Sequence, residues 1–96
     1  MMSSIRRLVL DLLKPNEIEN VEFARTLAGL DGVDGTNVSL LESDKDVQNL
    51  KITIEGENID SDVVTTAVED LGGTVHSVDE VVCGDRMVEE SSTHQD

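Results

Sequence analysis

The stretch LKITIEG, residues 50–56, puts Leu50, Ile52 and Ile54 on one side of an extended chain and Lys51, Thr53 and Glu55 on the other. A period of two belongs to a half-buried strand and not to a helix. IRRLVLDLL, residues 5–13, has the same period, with Leu8, Leu10 and Leu12 on one face and Arg7, Val9, Asp11 and Leu13 on the other. If the two pair antiparallel with Leu10 opposite Ile52, then Leu8 meets Ile54, Leu12 meets Leu50, Arg7 meets Glu55 and Asp11 meets Lys51. A slip of two residues loses both charge pairs, and a slip of one exposes the leucines. Exposed ion pairs contribute only about 0.5 kcal/mol each, so these charges select a register more than they stabilise it.

The remaining elements follow from spacing. KPNE, residues 14–17, ends the first strand, because Pro15 has no ladder N–H and Asn16 can cap a helix. Ile18, Val21, Phe23 or Ala24, Leu27 and Ala28 recur at helical spacing up to about Leu30, with Glu17, Glu19 and Glu22 at the positive end of the dipole. DGVDG, residues 31–35, is a connection, TNVSLLES is a second strand, and SDKDVQ is a turn. NIDSDVVTTAVEDLGG has Asp60 or Ser61 as N-cap, a stripe of Val63, Val64, Ala67, Val68 and Leu71, and Gly72 at the C′ position. Residues 74 to about 84 form the last strand. The order βαββαβ predicts an α+β, ferredoxin-like sandwich. Its four-stranded antiparallel sheet has the order 4-1-3-2 usual for that motif, with two helices on one face and the other face open. Residues 4–88 make a single domain, and 89–96 are a polar tail expected to be mobile.

Twenty-one acids against seven Lys and Arg give a net charge of −14, so no nucleic-acid partner is expected. Arg6 and Arg7 alone cannot supply the several phosphate contacts that such binding needs. Acidity of this degree suits a protein of high-salt surroundings, where screening removes most self-repulsion. No apolar run approaches the ~18 residues that span a bilayer, and Met1 to Arg7 lacks the apolar region of a signal peptide. A cytoplasmic protein without a membrane partner is expected. The lone cysteine, Cys83, excludes an internal disulfide and agrees with a reducing compartment.

No catalytic set emerges. The chain has no CxxC pair and no phosphate-cradling Gly-rich loop. Its one aromatic residue, Phe23, lies on a helix rather than on a base-stacking strand. DGVDGTNVSLLE resembles a calcium loop at its ends only, since Val33, Gly35 and Thr36 stand where an EF-hand needs two oxygen ligands and glycine. Under strict alternation His76 and Glu80 share one face of the last strand and Asp79 and Cys83 the other, so this strand alone forms no zinc-like set. One of Asp79 and Glu80 then faces the helices unless a bulge turns it out. Cys83 lacks a neighbouring His or Lys to activate it and reads as a strand residue. The remaining site is carboxylate-based. Asp11 and Glu55 with Asp79 or Glu80 could converge on a calcium or magnesium ion on the open face, completed by a second subunit. Val9, Leu13 and Leu41, apolar and away from the helices, favour self-association there, and a non-enzymatic, homo-oligomeric binding or regulatory module is the leading expectation.

IRRLVLDLLKP, LAGLDGVDGTNVSL, LKITIEGENID and LGGTVHSVDEVVCG, in this order, resemble the small archaeal family known as domain of unknown function 211. The resemblance runs over about residues 4–88. It implies a ferredoxin-like fold and ring-like homo-oligomers, and brings no established activity. Acids in excess, and Thr, Val and Asp where thermophilic members would carry Lys, Ile and Glu, are similar to a haloarchaeal version. The acidic tail after Val88 departs from the pattern.

Overall fold

The computed structural model describes residues 4–91. Its elements are β1 (Ile5–Pro15), α1 (Asn20–Ala28), β2 (Val33–Ser43), β3 (Val47–Gly56), α2 (Ser61–Asp70) and β4 (Thr74–Cys83). They form an α+β layer pair whose antiparallel sheet has the order β2-β3-β1-β4, the predicted order read from the other edge. The β1–β3 register carries all five expected pairs, including Leu10 with Ile52 and Arg7 with Glu55. Leu8, Leu10, Leu12, Leu50, Ile52 and Ile54 meet Phe23 and Leu27 of α1 and Val64 and Val68 of α2 in one core cluster, so both helices cover the same sheet face. Each such side chain contributes about 1.5–3 kcal/mol on burial. Asp60 caps α2, its Oδ1 accepting from the backbone N–H of Asp62 and Val63, and Gly72 follows the helix at φ +96°.

Two local expectations are corrected. Strand β1 runs through KPNE as far as Pro15, which is its last residue and pairs with Val47. Asn16 caps nothing: α1 starts behind Glu19, without a side-chain cap. The Asn16 amide instead donates to the Lys45 carbonyl at 2.8 Å, and its backbone N–H to that of Asp46 at 3.1 Å, bracing the β2–β3 turn against the end of β1.

Strict alternation fails along β4. Val9 pairs with Glu80 but Leu10 with Val78, so Asp79 is an extra residue; Asp11 pairs with Ser77 but Leu12 with Val75, so His76 is another. These bulges place Val75, Val78 and Val81, spaced by three, opposite the inward leucines, and Ser77 and Glu80 on the open face. Neither carboxylate enters the core, because the bulge holds Asp79 exposed.

The inward series of β1 ends with a lysine. Lys14 is 2% exposed, the one charged residue among the buried ones described. Its ammonium donates to the carbonyls of Pro15, at 2.9 Å, and of Ile18, tying the strand end to the approach of α1. Desolvation lowers its pKa from 10.5, opposed by the charges of Glu17 and Glu19. Between the folded and unfolded pKa values the folded protein binds fewer protons, so stability rises with pH there, and below the folded value the cost of burying the ammonium is fully present. Stability relative to a Lys14→Met variant is therefore expected to increase as pH climbs towards 10.5. Urea unfolding of both proteins across the alkaline range checks this, and a pH-independent difference would refute it.

Candidate functional site on the open sheet face

Arg7 is the focus of the uncovered face. It lies directly opposite Glu55 of β3, whose Oε2 accepts from Nε at 2.8 Å. The Glu80 carboxylate of β4 stands 3.5 Å from Nη1. The outer edge of the guanidinium meets Glu89 with both nitrogens, Nη1 to Oε1 at 2.9 Å and Nη2 to Oε2 at 3.0 Å. This two-pronged geometry is the one in which arginine holds a carboxylate best. The hydrogen bonds to Glu89, then Glu55, push the Arg7 pKa further above its ordinary value, and the bond to Arg7 holds the Glu89 carboxyl below the usual range.

Gly84 brings Glu89 there. After Cys83 the chain turns at Gly84, φ +118°, where a side chain is disfavoured. Its N–H donates to the Ser4 carbonyl at 2.8 Å and its own carbonyl accepts Arg6 Nε at 2.6 Å. Arg6 is free to do so because it is the extra residue between the pairs Ile5–Cys83 and Arg7–Val82. Val9 and Val82, beside Arg7 in the β1–β4 ladder, are 6% and 5% exposed although they lie outside the core cluster.

Of the four carboxylates expected at a cation site, Glu55 and Glu80 meet here, and they meet around a guanidinium. Asp11 pairs in register with Lys51 as expected, but its Oδ1 accepts from the amide of Asn49, which also donates to the Leu12 carbonyl at 3.0 Å, and Lys51 is exposed. Asp79 is exposed on its bulge, where Ser77 Oγ donates to it at 2.7 Å. His76 and Cys83 are exposed and separate. Among the described residues no three His, Cys, Asp or Glu side chains are grouped as metal ligands. Leu13 remains exposed on the open face and Leu41 is exposed at a bulge in β2, whereas Val9, expected to be bare, is buried. Glu89 was missed because no local pattern links it to Arg7.

A hollow of about 1000 Å³ between the α1–β2 turn and the β3–α2 loop is lined by Asp31, Asp34, Glu57 and Asp60. Asp60 is committed there to its helix cap. No helix of the described residues is long and apolar enough to cross a membrane.

The molecule is thus an α+β protein with one covered sheet face and one face where carboxylates gather on a single arginine. The model of the family described as uncharacterized ArCR, domain of unknown function 211, matches residues 6–96. The uncharacterized protein MJ0319 of Methanocaldococcus jannaschii is 48% identical over 95 residues, spanning 99% of this chain and 98% of its own. The chain belongs to the domain of unknown function 211 family.

Proposed function

We propose that this protein is a non-enzymatic, homo-oligomeric binding or regulatory module of ferredoxin-like fold, acting in the cytoplasm of a salt-adapted archaeon. The observation that carries the reading is the apolar lining of both sheet edges. Val78 and Val81 on β4 are 55% and 50% exposed, and Leu40 and Leu41 on β2 are 50% and 51% exposed. Because β4 and β2 are opposite edges, joining one to the other makes a head-to-tail contact that closes into a ring when the rotation allows. A small two-layer domain gains most from hiding such side chains against copies of itself. The net charge of −14 supports the salt-adapted setting. Light scattering at low and at multimolar salt is expected to give a defined oligomer, and Val78→Lys with Val81→Lys to dissociate it. A monomer under both conditions would remove the reading.

A second reading rests on Glu55 and Glu80, the two expected carboxylates that meet on the open face. Joined by a carboxylate of a second subunit, they would take calcium or magnesium. Calorimetry with both ions is expected on that reading to give saturable heat that Glu55→Gln abolishes, and heat that is absent or unchanged by the substitution would exclude it.

A further inference from the structure

We propose that in the assembled protein the carboxylate held by Arg7 comes from a second copy, the arm of residues 85–91 being exchanged between neighbouring subunits. Within one chain this arm has two points of attachment, the turn at Gly84 and the Glu89 fork on Arg7. No backbone hydrogen bond joins residues 85–91 to the sheet among the described residues. Met87 and Val88 are 37% and 59% exposed, so folding the arm back onto its own sheet leaves most of Val88 and part of Met87 in water. The Arg7–Glu89 contact is the same whichever copy supplies the arm. Burial of Met87 and Val88 against a neighbour therefore decides between the two arrangements, and it favours exchange. A glycine at positive φ is the hinge that redirects the arm.

The charges exclude a free small anion as the natural occupant. With Glu89 withdrawn, Arg7 still faces Glu55 and Glu80, and the whole chain carries −14. An untethered carboxylate or phosphate is repelled there. A carboxylate delivered by protein contact arrives at high effective concentration and overcomes that repulsion. The Arg7 fork is held ready for it, its Nε fixed by Glu55.

The inference rests on the homo-oligomer proposed above, and charge reversal separates the two. Arg7→Glu leaves only acids at the site and repels its arm, and Glu89→Arg turns the two-pronged carboxylate contact into a guanidinium set against Arg7, so each variant alone loses the fork. In an equimolar mixture Arg at 89 of one meets Glu at 7 of the other, and the native Glu89 meets the native Arg7. Sedimentation at about 0.1 M salt, where the Debye length is about 10 Å, is expected to show half-dissociation at an about tenfold higher concentration for each variant. Mixing them is expected to restore the wild-type value. Restoration by the double variant in one chain, with none on mixing, overturns exchange while leaving the oligomer intact. A monomeric wild type overturns both readings. Should Arg7→Glu fail to fold, wild-type protein mixed from isotope-labelled and unlabelled chains decides the matter. Intermolecular NOEs from the Val88 methyls to residues flanking Arg7 support exchange, and purely intramolecular ones refute it.

Discussion

Gly56→Ala is expected to destabilise the protein by about 4 kcal/mol, lowering its melting temperature by about 20 °C. A Cβ at position 56 would lie 1.9 Å from the Gly32 carbonyl oxygen and 2.9 Å from the Asp34 nitrogen. Both atoms are backbone, so no side-chain rotation relieves the clash. Val33 pairs with Gly56 at the start of β2, and one residue later Asp34 is the extra residue of a bulge, which presses the two chains together. The Gly32 carbonyl also accepts the Glu57 N–H at 2.8 Å, so parting the strands breaks the link that leads from β3 towards α2. Strain plus two or three lost hydrogen bonds accounts for the size. Gly35→Ala, where a Cβ meets nothing within 4 Å, is the control and should move stability by less than about 1 kcal/mol. Thermal melts followed by circular dichroism check both, and a shift of under 3 °C (roughly 0.5 kcal/mol) for Gly56→Ala would show that the close approach is relieved cheaply.

Phe23→Ala is expected to cost about 4 kcal/mol, because the side chain is fully buried and its loss leaves a cavity between α1 and the sheet. Its neighbour makes the prediction sharper. A Cβ at Gly73 would sit 3.1 Å from Phe23 Cζ, 3.1 Å from Val68 Cγ1 and 3.3 Å from the Leu13 carbonyl oxygen. Gly73→Ala alone is therefore destabilising through crowding, about 1–2 kcal/mol. With the ring removed that crowding falls, and the new methyl fills part of the cavity. The double variant should lose at least 1 kcal/mol less than the two single losses together. Urea unfolding of the four proteins measures the coupling, and simple additivity would mean that ring and glycine do not share this space.

The central pair of strands was legible because two independent signals agreed. Apolar alternation fixed which residues of β1 and β3 face inward, and Arg7, Asp11, Lys51 and Glu55 fixed how they slide. Nothing comparable marked the edges. Counting by two from His76 puts one of Asp79 and Glu80 on the inward face, and only the spacing of Val75, Val78 and Val81 hints that β4 must insert residues to keep its valines together. The same counting applied to β1 continues Leu8, Leu10, Leu12 into Lys14, but Pro15 marks the strand as ending before that lysine, so its burial does not show. Asn16 was assigned to the nearest helix, whereas its amide reaches a turn 29 residues away. At the open face, Glu55 was legible through pairing and Glu80 through proximity. Glu89, 82 residues from Arg7, depends on a turn at Gly84 that composition cannot aim.

The interruptions along the outer strands have a bearing on the life of this protein in a crowded cell. An amyloid-like stack grows by adding even ladders of backbone hydrogen bonds to a flat, regular margin. Here β4 is broken at His76 and Asp79, and β2 at Asp34 and Leu41, so neither margin offers more than six consecutive regular positions. Apolar side chains can then remain on both margins without inviting indiscriminate strand addition, and a neighbour must match the interruptions to attach.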